Sequence, residues 1–197
     1  MVRVAVLVSG GGTNLQAIID AKQAGKIPSA ELALVLASNE KAFALTRAAN
    51  AGIPSEVLRK AKGEEPSLYG ERLLAVLRTH RIDLVVLAGF LTILPENVIR
   101  AYDHRILNVH PSLIPSFCGD GFYGLRVHEA ALAKGVKVTG ATVHFVNEIT
   151  DGGEIIAQKA VDVLPDDTPE TLQRRVMEQA EWVLLPQAVE TVAKRLN

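Results

Sequence analysis

Cysteine is almost absent from this chain: Cys118 is the only one in 197 residues. One thiol can form no internal disulfide and no multi-cysteine metal site, and its scarcity suits a reducing compartment. Neither sign of charge is in excess, since 21 Lys and Arg stand against 22 Asp and Glu, a formal net charge of -1. That balance lacks the basic surface that a nucleic acid or an anionic membrane attracts. Long apolar runs are missing too. The N-terminal run Val2 to Val8 is too short for a bilayer span and too poorly flanked for a signal peptide, so it reads as a buried strand. These absences point to a cytoplasmic protein. No repeat, low-complexity tract or linker interrupts the chain, and 48% apolar residues suffice for one well-filled core. One domain over residues 1–197 is expected.

What is present alternates. Val2 to Val8 closes on Ser9-Gly-Gly-Gly-Thr-Asn14, after which Leu15, Ile18, Ile19 and Lys22 recur at helical spacing up to Gly25. Leu32 to Ala37 reads as a second strand, Lys41 to Ala51 as a helix that Gly52 can cap, and Ile53 to Leu58 as a short edge strand carrying a proline. After a polar loop, Arg59 to Glu65, a helix from about Ser67 to His80 leads into the apolar strand Asp83 to Leu87. Strand and helix in repeated succession imply an α/β chain with a doubly wound, mostly parallel sheet. Beyond His110 the pattern changes. A glycine-rich connection, Phe117 to Gly124, and a short helix, Leu125 to Lys134, precede Thr139 to Val146 and Glu154 to Asp162, which alternate at period two. Their loop, Asn147 to Gly153, makes them an antiparallel hairpin at the sheet edge. A long C-terminal helix follows from Thr168, with Pro169 in its first turn and Pro186 placed to kink or break it.

The chemistry concentrates in Ile106-Leu-Asn-Val-His-Pro-Ser-Leu-Ile-Pro115. Ile106 to Val109 reads as a strand, ended where Pro111 and Pro115 forbid a helix. Asn108 and His110 are two residues apart, so their side chains leave on one face. A carboxamide can hydrogen-bond a developing oxyanion, and an imidazole moves a proton near neutral pH, a pairing that suits acyl transfer. The plainer reading is of two strand-end residues pinning a loop. Asp151, in Ile149-Thr-Asp-Gly-Gly153, is either an ordinary turn residue or a carboxylate that its hairpin folds over the end of the Ile106 strand to meet His110. An anion beside that histidine would keep it protonated.

The glycine loop has two readings as well. It follows the first strand and opens a helix, where backbone N–H groups can cradle a phosphate. It is no Walker loop, since no Gly-Lys-Ser/Thr follows. As a dinucleotide fingerprint it is poor, because Leu15 takes the third glycine's place and Ser38-Asn39 stand where an acidic ribose ligand belongs. A single terminal phosphate on a small metabolite fits better. The alternative is a glycine turn with Thr13 or Asn14 as a cap.

Taken together, Ser9-Gly-x-Gly-Thr-Asn14-Leu-Gln16, Leu87-Ala-Gly-Phe90 with Ile93-Leu94, Leu107-Asn-Val-His-Pro-Ser-Leu-Ile-Pro115, and Val143-His-Phe-Val146 with Asp151-Gly-Gly153 resemble the phosphoribosylglycinamide formyltransferases. These are folate-dependent enzymes of purine biosynthesis, and the motifs occur in that family's order from the first strand to the last helix. The resemblance implies a Rossmann-like sheet whose first half, about 1–103, binds nucleotide phosphate and whose second half, about 104–197, is catalytic and binds folate. It implies 10-formyltetrahydrofolate as formyl donor, glycinamide ribonucleotide as acceptor, and no metal. It further implies that Asn108, His110 and Asp151 are catalytic, and that Gly12, Thr13 and Asn14 hold the ribose phosphate. Glu181 or Glu178 contacts the ribose hydroxyls, the register there being open by about one residue. Leu91, Thr92, Ile93 and Leu94, with Asn147, Glu148, Ile149, Thr150 and Asp151, read the pterin. The amine would attack the formyl carbon directly, without an acyl-enzyme. A monomer or homodimer is expected, with no nucleic-acid or membrane partner.

Two other functions share features with these motifs: a hydrolase of the same folate, and a noncatalytic Rossmann-type nucleotide-binding module. The chain also departs from the family. Pro66 stands where an arginine is frequent, with Lys62 or Arg72 as candidate substitutes, Thr92 replaces another arginine, and Phe117 to Gly124 is a long connection without an assigned role. The remaining singled-out residues read as structural. His80 ends a helix, His104 lies in a polar turn, His128 sits on a helix surface, and His144 is a hydrogen-bonded strand residue. Cys118 is incidental, and Trp182 and Leu185 belong to the core.

Overall fold

In the computed structural model, which describes residues 1–197, a seven-stranded sheet runs in the order β3-β2-β1-β4-β5-β6-β7. Its strands are β1 (Val2–Val8), β2 (Ala30–Ala37), β3 (Ser55–Val57), β4 (Leu84–Leu87), β5 (Ile106–His110), β6 (Val138–Phe145) and β7 (Ile155–Asp162). β1 to β5 are parallel, and β6 and β7 add antiparallel at one edge. The helices are α1 (Thr13–Gln23), α2 (Ala44–Asn50), α3 (Pro66–Thr79), α4 (Glu96–Ala101), α5 (Leu125–Lys134), α6 (Pro169–Val176) and α7 (Trp182–Leu196). The six-residue α4 is too short to show a period in the sequence.

The two-residue period of the strands sorts their side chains into two cores. Val4, Val6, Leu84, Val86, Leu107 and Val109 point to one face, packed by α1, α6 and α7. Ala5, Leu7, Val85, Leu87 and Ile106 point to the other, packed by α3 and α4. Being buried on both sides, β4 reads as an unbroken apolar run, and β1 as one interrupted only by the partly buried Arg3 near its start. α3 and α4 do not reach the antiparallel edge. On their face β5 contributes only Ile106 to the core and then places Asn108 and His110, while β6 adds Thr142 and His144 in register beside them. A polar stretch of sheet is thereby left for loops, not helices, to cover.

Three sequence expectations need correction here. Pro186 neither breaks nor ends the helix: α7 runs through it, and the irregularity lies just before, in a π turn over Met177–Glu181. The proline forfeits only the hydrogen bond to Trp182, and the wider turn ahead of it gives the ring room. His128 is not on a helix surface but wholly buried, in the stripe Val127, His128, Ala131 that α5 presents inward. Trp182 is partly exposed along a cleft between α1 and α7, whereas Leu185 is core as expected.

Candidate active site

β5 ends where its last residues turn polar, and three groups meet there. Asp151 Oδ2 lies 3.4 Å from His110 Nδ1, and Asp151 Oδ1 lies 3.5 Å from Asn108 Nδ2. His110 is 5% and Asp151 9% exposed at the side chain, so water screens the pair little. The other ring nitrogen of His110, Nε2, donates to the Phe117 carbonyl at 2.8 Å. That bond fixes the ring's orientation and turns Nδ1 toward the carboxylate. Burial alone would raise the Asp151 carboxyl's pKa. Hydrogen bonding with His144 and the Gly119 N–H, together with the positive charge of both histidines, outweighs it and holds the pKa below the ordinary value.

The hairpin brings Asp151 to the end of β5 by an indirect route. β6 runs antiparallel to β5, so its loop starts beside Ile106, at the beginning of β5 and not its end. The loop then doubles back across the sheet face. Asn147 braces this return by accepting from the Ile149 N–H (3.0 Å) and donating to the Gly152 carbonyl (3.3 Å), and Asp151 takes a left-handed φ of 55°. Gly153 approaches the Phe145 carbonyl so closely that an added Cβ would lie 1.8 Å from it.

The connection without an assigned role is the other wall of the site. Besides the Phe117 carbonyl on His110, the Gly119 N–H donates to Asp151 Oδ2 at 2.9 Å and Asp120 accepts from the Thr150 hydroxyl at 3.1 Å. Phe117 holds φ at 50°, a left-handed conformation that costs a non-glycine residue energy, while its ring packs on the core and against Phe122. His144, read from sequence as merely structural, belongs to this group as well. Its Nδ1 is committed to the Phe145 carbonyl (2.7 Å), and its Nε2 faces Asn108 (3.2 Å) and Asp151 (3.6 Å). Its pairing with Asn108 across β5 and β6 was the signal, hidden until the register of the two strands is known. Cys118 stands nearby with its thiol pKa pushed up by burial and by Asp151, the opposite of what a nucleophile needs.

At the head of β1, Gly12 caps α1 with φ 71°, and a Cβ there would lie 2.7 Å from that of Ala44, so the loop is pressed against the start of α2. Thr13 is exposed at the first turn, while Asn14 is buried and donates to Glu181 Oε2 at 2.8 Å. Burial raises the pKa of the Glu181 carboxyl, and the Asn14 bond only partly offsets this. The two candidate carboxylates lie in different places. The π turn brings Glu181 to the loop, while Glu178 pairs with Arg174 on the exposed side at 3.2 Å. On the other side of the site, Leu91 and Ile93 are 70% and 82% exposed, Thr92 is half-buried, and Leu94 anchors the segment in the core. Glu148, Ile149 and Thr150 are exposed on the facing hairpin loop. Of the two substitutes for the missing arginine at Pro66, Arg72 is already paired with Glu64 at 2.6 Å.

An amide beside an oriented imidazole and a buried carboxylate is an arrangement that can carry acyl transfer, and a formyl transferase domain model matches residues 2–189. The fold is therefore that of the formyl transferase family. The chain is 39% identical to the phosphoribosylglycinamide formyltransferase of Haemophilus influenzae, over 94% of this chain and 84% of that one. It is also 39% identical to the chloroplastic enzyme of the same name from Vigna unguiculata, over 98% of this chain. Among solved structures, glycinamide ribonucleotide transformylase 1 from Symbiobacterium toebii superposes with a TM-score of 0.91 at 40% identity, covering 99% of this chain and 89% of that one. The chain belongs to the phosphoribosylglycinamide formyltransferase family. It spans only 61% of the length of its plant relatives.

Proposed function

We propose that this chain transfers the formyl group of 10-formyltetrahydrofolate to the amine of 5′-phosphoribosylglycinamide, a step of de novo purine biosynthesis. The observation that carries the reading is the return of the hairpin loop, which brings Asp151 to within 3.4 Å of His110 beside Asn108.

The neutral amine attacks the formyl carbon, a C–N bond forms, and the carbonyl electrons move onto oxygen. The Asn108 amide is held by two long contacts, to His144 and Asp151, so it can turn a hydrogen toward that oxyanion. His110, with Nδ1 toward Asp151 and Nε2 on the Phe117 carbonyl, supports the same charge electrostatically as an imidazolium. Asp151 holds the imidazolium and aids the proton's passage, taking it from the attacking nitrogen and giving it to the folate nitrogen as the old C–N bond breaks. No side chain becomes acylated: Ser112 is buried, its hydroxyl given to the Ser116 carbonyl. The nucleotide's phosphate takes the Gly12, Thr13 and Asn14 loop, its ribose hydroxyls take Glu181, and the pterin lies between Leu91–Leu94 and the loop 147–151. A cytoplasmic location, small-molecule partners only, and a monomeric or homodimeric state belong to the same proposal. No helix is long and apolar enough to cross a membrane.

The test is to follow deformylation of 10-formyltetrahydrofolate with and without glycinamide ribonucleotide. Turnover that needs the nucleotide is expected. Equal rates without it would make the protein a hydrolase, and no turnover under either condition would leave a binding module.

A further inference from the structure

Three strand ends meet at one serine. Ser9, half-buried after β1, donates its N–H to the Gly89 carbonyl at 3.1 Å, and its own carbonyl accepts from Asn39 Nδ2 at 3.0 Å after β2. Its hydroxyl oxygen accepts twice, from the Ser38 hydroxyl at 2.8 Å and from the Leu91 N–H at 2.9 Å. Ser9 opens the glycine loop, and Leu91 opens the exposed segment that follows β4 through the left-handed Gly89, φ 72°. Without the hydroxyl, the Leu91 N–H has no protein acceptor, and the chain from Gly89 to the buried Leu94 is tied only at its ends.

We propose that the Ser9 hydroxyl is a positioning group: it fixes the backbone that reads the folate onto the loop that holds the nucleotide, and so sets the spacing between donor and acceptor. The inference rests on the proposed function. Its asymmetry is specific. The glycine loop is held through Ser9 backbone groups, which alanine keeps, whereas Leu91 is held through the hydroxyl, which alanine lacks. Ser9→Ala therefore acts on the folate side alone.

The experiment measures KM for each substrate, kcat and the melting temperature in wild type, Ser9→Ala, Ser9→Thr and Ser38→Ala, together with the affinity for unformylated tetrahydrofolate by titration. Loss of a single hydrogen bond predicts a KM for 10-formyltetrahydrofolate raised about five- to tenfold in Ser9→Ala. Tetrahydrofolate affinity should weaken in parallel, while KM for the nucleotide and the melting temperature stay near wild type. Ser9→Thr restores the folate constants, and Ser38→Ala, which leaves the Leu91 contact intact, hardly changes them. An unchanged folate KM in Ser9→Ala, a parallel rise in both KM values with a lower melting temperature, or no rescue by threonine each overturns the proposal. A wild-type protein without nucleotide-dependent turnover overturns the functional reading instead, and the tetrahydrofolate titration still tests Ser9.

Discussion

At the scale of single residues, the half-buried Asn108 and the buried Glu181 show how differently two polar groups can be used. Removing one oxyanion donor typically costs about 3–4 kcal/mol in the transition state. Asn108→Ala should accordingly lower kcat by a factor of about 10²–10³. The melting temperature should hardly move, since its long contacts to His144 and Asp151 contribute little to the fold. Glu181 is the opposite case. Burial raises its folded pKa above the unfolded value of about 4.3. Its contribution to stability is therefore complete below that value and is lost as pH rises through the folded pKa. Glu181→Gln should raise the melting temperature at pH 7–8 relative to wild type, with the gain vanishing near pH 4. The same change should weaken the nucleotide's KM by about tenfold, as expected when a charged hydrogen-bond partner is lost. Thermal melts across pH and steady-state kinetics read the two effects separately. His128 is a residue whose place a closer reading of period would have found, since Val127, His128 and Ala131 form one helical stripe. Burial and the nearby charge of His110 then lower its pKa to about 4, so it is neutral across the working range.

Elements carry the second kind of information. The glycine loop is legible because β1 and α1 are strongly patterned on either side, but its tightness comes from α2. Gly12→Ala meets both a left-handed φ of 71° and Ala44 within 2.7 Å. The backbone term alone is about 1–2 kcal/mol, equivalent to a melting temperature about 2–8 °C lower for a chain of this size. The nucleotide KM should rise with it, because the loop can relax only by moving away from α2. A variant that melts and binds like wild type would mean the loop is not held as described. The π turn has no comparable signal in sequence. Met177 to Glu181 reads as ordinary helix, and only the packing of α6 and α7 on the same sheet face requires the extra residue that turns Glu181 inward.

For the molecule as a whole, the proposed function predicts stabilisation by either substrate's non-reacting form. A ligand at a hundred times its Kd adds about 2.7 kcal/mol. For a domain of this size that raises the melting temperature by about 5–11 °C. Tetrahydrofolate and glycinamide ribonucleotide should each produce such a shift in thermal melts, and a chain that melts identically with both would have no such sites. The sheet that builds these sites was readable in advance. Apolar runs bounded by glycine and proline mark β1, β2, β4 and β5, alternation marks β6 and β7, and helical stretches between strands imply a doubly wound sheet. The strand order β3-β2-β1-β4-β5-β6-β7 is known only from the structure. Asn108 and His110 were readable too, because two residues on one strand must share a face.

Periodicity is local, and so is everything the sequence determined by itself: which stretches are strands, which face each side chain takes, and where a loop needs glycine. The meeting of Asn108 with Asp151, 43 residues further on, is not local. It depends on β6 running antiparallel, on a loop that doubles back over a face the helices leave bare, and on the Phe117 and Gly119 backbone closing from the other side. Only the tertiary structure could decide these, because each follows from where separate elements pack and not from the preference of any one segment.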